Sequence, residues 1–203
     1  MSAPSSTTKA SAPLTDNPLL IGQGLPPFSD IQPSHVIPGI ETLLKRLEEK
    51  LSTTEENLYD LLSANSADEE SGLAKTSSQT VTWDTLITPL TDITEKLSWS
   101  WGIIGHLMGV KNSPELRTAY ESVQPALVQF STRIGQSQII YKALKQLANS
   151  AQWQTLSPAQ HRIVEAALRD AELSGVGLTG EDKATFNHIQ QQLAELSTQF
   201  SNH

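Results

Sequence analysis

Apolar side chains recur three and four positions apart from Pro33 almost to the last residue, and no segment alternates polar and apolar at every second position. That periodicity matches the 3.6-residue turn of an α-helix and leaves no half-buried strand from which to build a sheet. Five stripes carry it. Ile40, Leu44, Leu47, Leu51, Leu58 and Leu62 form the first, within residues 36–63. Trp83, Leu86, Leu90, Ile93, Leu97, Trp101, Ile104 and Met108 form the second. The third runs from Leu116 through Tyr120, Val123, Leu127, Phe130, Ile134, Tyr141 and Leu144 to Leu147. Ile163, Ala167, Leu168 and Ala171 mark a shorter fourth, and Phe186, Ile189, Leu193, Leu196 and Phe200 run at heptad spacing as a fifth. The expected fold is all-α, with about five long, partly kinked, roughly antiparallel helices.

Start signals agree with the stripes. Ser113-Pro114-Glu115 supplies an N-cap, a proline at the first helical position and an early acid; Ser157-Pro158-Ala159-Gln160 adds a capping-box glutamine to the same arrangement. Thr82 stands before Trp83 in a similar role. Pro38, Pro89 and Pro125 fall inside the stripes, and each removes a backbone donor, so kinks or interruptions are expected there. Residues 63–80, SANSADEESGLAKTSSQT, lack an apolar period and read as a flexible loop. Residues 1–16 are rich in Ser, Thr, Ala and Pro, and a disordered tail is expected. Their shortage of acids is faintly like an organelle transit peptide, but one lysine and no arginine is too little basic charge for that.

The motif with the most specific-looking string is GVGLTG, residues 175–180, which matches the G-x-G-x-x-G of dinucleotide-binding proteins letter for letter. That motif needs a strand before its first glycine and a helix opening at its last. Here the preceding residues, 160–174, form an amphipathic helical pattern, and Gly175 falls where a helix C-terminus needs a left-handed residue. Thr179 and Asp182 then resemble a capping box with aspartate in place of glutamate. The expected arrangement is a helical hairpin with the glycines as its turn, and no nucleotide site.

Charge and cysteine content narrow the chemistry. The formal net charge of −8 opposes binding to nucleic acid or to anionic membranes, which need a basic surface. With no cysteine there is no disulfide, thiolate metal site or thiol nucleophile, and a reducing, cytoplasmic location fits. The longest apolar-rich stretch, residues 97–110, is too short to span a bilayer. None of the five histidines, His35, His106, His161, His188 and His203, stands in a His-Glu-x-x-His string. His161 and Glu165 share a helix face, and a surface pair explains them better than two ligands without a third. His106 reads as a helix-packing residue. There is no Gly-x-Ser-x-Gly, and the adjacent carboxylates Glu48/Glu49, Glu55/Glu56 and Glu69/Glu70 diverge from each other, which suits solvation. Trp99 and Trp101 with Gly102, Gly105 and Gly109 either line a groove or let helices approach closely; the second account is preferred. From the residues alone no catalytic, cofactor-binding or metal site emerges.

Four stretches resemble a known family: NPLLIGQGLPPFSDIQPSHVIPGI (Asn17–Ile40), TWDTLITPL (Thr82–Leu90), VKNSPELRTAYESVQP (Val110–Pro125) and ALRDAELSGVGL (Ala167–Leu178). Together they resemble the N-terminal region of the thimet oligopeptidase family of zinc metallopeptidases, in order and apart only from the 63–80 loop. The resemblance implies that residues 17–203 are the N-terminal helical region of a larger channel-type oligopeptidase. It implies a lobe opposite the metal and one channel wall, with short peptides as the substrates of the full enzyme. Zinc is implied for that full-length enzyme and none is expected on this segment, because the family's zinc motif, general base and transition-state residues have no matching positions here. The missing catalytic lobe is the expected partner. Phe200 lies on its stripe three residues from the terminus with no closing Gly or Pro, so a helix that continues further is expected. The expected function is therefore a non-catalytic region of a zinc metalloendopeptidase, inert alone. The alternative is a helical interaction or self-association module, and the third reading is a hydrolase built around His161 and Glu165.

Overall fold

The computed structural model describes residues 17–71 and 80–201, with the backbone alone for 65–71. The disordered tail expected at 1–16, the 72–79 part of the expected loop and His203 lie outside the described residues. Six α-helices and two short 3-10 turns make up the fold, and no strand occurs among the described residues. They are α1 (Pro33–Ser71), α2 (Trp83–Val110), α3 (Pro114–Gly135), α4 (Gln138–Ala148), α5 (Pro158–Leu173) and α6 (Gly180–Ser201). The 3-10 turns are Pro18–Leu20 and Ala151–Thr155.

The helices begin where the capping residues sit. Thr82 and Thr85 exchange side-chain and backbone hydrogen bonds at 3.2 and 2.9 Å in a capping box, and Ser157 and Gln160 do the same at 3.3 and 2.9 Å. Ser113 accepts from the Leu116 N–H at 3.2 Å, and Pro114 occupies the first turn of α3. Each device satisfies backbone donors that a helix start leaves free. Pro38, Pro89 and Pro125 all lie inside continuous helices, so none of them interrupts its element.

Two boundaries differ from the sequence reading. The third stripe is two helices, not one: α3 ends at Gly135, and Ser137 caps α4 by accepting from the Ile140 N–H at 3.3 Å. A Cβ on Gly135 would meet Ser174 at 2.8 Å, so this glycine marks a close approach of the α3 end to the α5 end. The first helix is also longer than its apolar stripe, running to Ser71 and so into the stretch expected as loop. The reason is local: residues 63–71 hold neither Gly nor Pro and include Ala and Glu, residue types that a helix tolerates well.

The core lies in two clusters. One gathers Val36 and Ile40 from the start of α1, Ile103, Ile104 and Leu107 from the end of α2, and Leu116, Ala119, Val123 and Leu127 from the start of α3. The other gathers Leu47, Leu51 and Leu58 of α1, Leu86 and Ile93 of α2, Phe130 of α3, Ile140 to Leu147 of α4 and Val164 of α5. The halves that meet set the directions: α2 runs antiparallel to α1, and α3 runs back antiparallel to α2. The N-terminal stretch is tied to this bundle by polar contacts. Asn17 donates to the His35 carbonyl at 2.8 Å and accepts from the Leu19 N–H at 3.0 Å, and fully buried Ser100 donates to the Leu19 carbonyl at 2.7 Å.

The GVGLTG stretch is a helical hairpin turn. Val176 N–H bonds to the Ala171 carbonyl and Gly175 N–H to the Glu172 carbonyl, both at 3.1 Å, with Gly175 at φ +79°. This is a Schellman closure, and the apolar contact that accompanies it is supplied by the buried pair Val176 and Ala171. Gln136 and Gln138, at the α3–α4 junction, donate to the Ser174 and Val176 carbonyls and pin the turn from below. An amphipathic helix stands where a dinucleotide fold needs a strand.

Candidate functional site: the α2–α6 groove and its neighbours

The fifth stripe forms a helix, but only its first residue, Phe186, is half-buried, and from Ile189 onward the stripe is exposed. Helix α6 has no buried residue. The half-buried positions that rest on α3 include Lys183, Asn187, Gln191, Ala194 and Thr198, and the contacts there are polar. Gln124 donates to the Ala194 carbonyl at 3.1 Å and to the Thr198 hydroxyl at 2.7 Å, and Gln136 donates to Asn187 at 2.8 Å. The apolar seam points away: Ile189 is 48% exposed, Leu193 54%, Leu196 61% and Phe200 84%. At 3.6 residues per turn the seam lies roughly 140° around the helix from the α3-facing side.

Between α6 and α2, over a floor of α3, runs an open groove. Its wider part has a volume of about 520 Å³ and lies beside Trp101, Leu127 and Leu193; it continues into about 400 Å³ beside Gly105, Gly109 and Ser201. Tyr120 and Gln124 line both parts. Trp101 stacks on Tyr120 with ring centroids 4.4 Å apart, and burial pushes the Tyr120 phenol above its ordinary value, opposed by a hydrogen bond with Thr198. A Cβ on Gly102, Gly105 or Gly109 would meet no atom within 4 Å. The preferred account of these glycines, close approach of helices, is therefore overturned among the described residues: none of them is in contact with a neighbouring helix, and Gly105 and Gly109 line a groove as the other account held.

The titratable groups assemble into structural pairs. Glu48 and Glu55, seven residues apart on one face of α1, both bind Arg133 of α3 at 2.8 Å, and Glu55 also accepts from Ser137 at 2.6 Å. Solvation thus describes only Glu49 and Glu56, which are exposed; the seven-residue spacing was the signal for the other two. The side chains of Glu69 and Glu70 lie outside the described residues. Along α2, Asp92 binds Lys50 and Lys96, and both lysines hold its carboxyl below the usual range, against a smaller opposing push from burial. This trio edges a cleft of about 1070 Å³ between α1 and α2. Glu115 is likewise held low, by its own backbone N–H and by the Ser113 hydroxyl in the first turn of α3.

The histidines are dispersed. His161 stacks on Trp153 with centroids 4.1 Å apart, and its Nε2 lies 2.7 Å from the Trp153 carbonyl, while Glu165 is exposed. His35 Nδ1 accepts from the Gln32 N–H at 3.2 Å at the start of α1. His106 is exposed, not packed between helices, and its ring meets that of Phe28 at 5.2 Å; His188 is exposed on α6. No group of three His, Asp or Glu able to hold a metal forms among the described residues, so the donor set here does not fit a catalytic zinc. No helix of the described residues is long and apolar enough to cross a membrane.

The family described as TOP_N, "Neurolysin/Thimet oligopeptidase, N-terminal domain", matches residues 40–183. The chain is 41% identical over 188 residues to "Probable cytosolic oligopeptidase A" of Arabidopsis thaliana, covering 93% of this chain and 24% of that protein. It is 40% identical over 188 residues to "Organellar oligopeptidase A, chloroplastic/mitochondrial" of the same plant, covering 93% of this chain and 21% of the relative. With "Oligopeptidase A" of Escherichia coli (strain K12) it shares 37% identity over 186 residues, 92% of this chain and 24% of the relative. The chain thus spans less than a quarter of the length of the curated relatives it matches.

Proposed function

The chain belongs to the neurolysin/thimet oligopeptidase family, and we propose that it is the N-terminal, non-catalytic helical region of a zinc-dependent oligopeptidase of the oligopeptidase A type. In this reading it contributes the lobe opposite the metal and one wall of the channel that admits short peptides, and its partner is the catalytic part of the enzyme. The observation that carries the reading is identity of 37–41% running through more than nine-tenths of the chain to oligopeptidases A, within a family described as an N-terminal domain. Zinc held in the catalytic part would lower the pKa of a bound water, so that a hydroxide-like nucleophile is available for peptide hydrolysis near neutral pH. In this reading the chain is inert alone and carries no catalytic, cofactor-binding or metal site of its own, the three ligands that a catalytic zinc needs coming from the catalytic part. A cytoplasmic location agrees with the names of some relatives and not with that of the organellar one.

The test is direct. The purified chain is incubated with a quenched fluorescent peptide, and no cleavage above buffer is expected. Cleavage that EDTA abolishes would overturn the assignment of an inert region. A second reading, a helical interaction module with no enzymatic role, is favoured by the outward apolar seam of α6. Sedimentation as a monomer, with no binding of an apolar-surface dye, counts against it.

A further inference from the structure

We propose that the α2–α6 groove, with the adjoining seam of α6, is the docking site of an amphipathic helix from the catalytic part of an oligopeptidase A polypeptide. The proposal rests on the family reading above and names the surface through which that partner binds.

Three observations converge on it. First, α6 satisfies its own bundle with polar contacts from Gln124 and Gln136, and it turns a heptad-spaced apolar seam outward. A helix of 22 residues that exposes Leu193, Leu196 and Phe200 over about 10 Å of its length lacks a partner on that side. Second, the groove beside it is open and uncharged, with room for a further element. Its walls carry Gly105, Gly109, Ala194 and Ser197, small enough for a backbone to come close, and its floor is the stacked pair Trp101 and Tyr120. Gly105, inside α2 with open space at Cβ, costs this chain stability and gives its own packing nothing.

Third, the lining is neutral. The chain has 14 Lys and Arg and 22 Asp and Glu, yet none of these residues lines either part of the groove. A charged ligand finds no counter-ion there; the apolar, neutral face of a helix does. The greater part of each relative lies outside the 24% that this chain matches, and that part supplies the occupant.

The test uses the full chain and two variants. Gly105→Leu fills the groove from open space, and Leu196→Glu charges the seam. Leu173→Glu, at an exposed position on the end of α5, is the control. Labelled peptides of about 25 residues, end-capped to favour helix and tiled across the unmatched part of Escherichia coli oligopeptidase A, are titrated against each protein by fluorescence anisotropy. One peptide or a few neighbouring ones are expected to bind. Both groove variants should weaken that binding at least about tenfold, a loss of about 1.4 kcal/mol, while the control leaves it unchanged. Melting temperatures of the variants at or above that of the parent chain exclude unfolding as the cause. Peptides bound equally by parent and variants overturn the site and leave the family reading intact. If no peptide binds, the proposal fails; and if the chain then sediments as a dimer that Leu196→Glu dissolves, the seam belongs to a second copy and the catalytic-lobe reading fails with it.

Discussion

Substituting glycine by alanine should have opposite signs at two places in this chain, and the difference can be worked from local geometry. Gly102 and Gly105 lie inside α2, and a Cβ at either position meets nothing within 4 Å. Alanine there gains helix propensity and loses unfolded-state entropy without a clash, about 0.5–1 kcal/mol for each residue. The double variant should therefore be more stable by about 1–2 kcal/mol. For a domain of this size that corresponds to a rise in melting temperature of about 2–8 °C. Gly175 is the counter-case. Its φ of +79° is the left-handed conformation of the α5 C-terminus, which costs an L-residue about 1–2 kcal/mol. A Cβ there also comes 2.7 Å from Leu178 Cδ1, so the side chain of Leu178 has to move as well. Gly175→Ala should lower the melting temperature by about 2–8 °C. Thermal unfolding followed by far-UV circular dichroism reads both changes, and urea midpoints at constant slope confirm that the folded state is the one affected. A destabilised Gly102→Ala/Gly105→Ala protein would mean that something already fills the space over α2, and the argument for an open groove would fall. An unchanged Gly175→Ala protein would refute the Schellman closure as the role of that glycine.

Two further outcomes follow from polar contacts. Ser100→Ala removes the hydroxyl that the fully buried Leu19 carbonyl accepts at 2.7 Å, leaving an unpaired buried acceptor; a loss of about 1–3 kcal/mol is expected, and a loss under about 0.5 kcal/mol in urea unfolding would refute the tether. Asp92→Asn tests the lysine pair: the carboxyl is held below its ordinary 3.8, so its stabilising contribution is complete above that value and is lost as pH falls through the lowered one. Parent and variant should then differ in stability at pH 6 and converge under acid, and a gap that widens toward low pH would contradict the assignment.

Much of the bundle was legible because its determinants are local. The caps at Thr82, Ser113 and Ser157 are short-range chemistry, and each stands where the residue types indicated. Gly175 was legible for the same reason: a left-handed helix end selects glycine whatever surrounds it. The break at 135–137 was harder, since the third stripe continues in phase across it. Gly135 is required there by Ser174, a residue far along the chain whose approach no periodicity encodes. The Arg133 clamp is similar: the spacing of Glu48 and Glu55 sets a face, but only the fold brings α3 to it.

Helix α6 shows where such reasoning stops, and why the site was the least legible part. A heptad stripe specifies that a helix has an apolar face; it does not specify which body covers that face. In α1 to α4 the stripe and the rest of the chain agree, and the stripes pack into the two core clusters, while in α5 Val164 enters the core and the stripe residue Ile163 is exposed. In α6 the stripe is equally regular, yet the residues that meet α3 are Asn187, Gln191 and Thr198, with Gln124 and Gln136 reaching across to bond them. The amide and hydroxyl pattern that docks α6 on its own domain lies on the opposite side of the same helix. Both faces were present in the sequence, and the stripe alone does not say which of them meets the rest of the chain. A helix with two patterned faces is one that two bodies hold, and in this chain the polar face has its partner while the apolar face, with the glycine-walled groove beside it, is shaped for another.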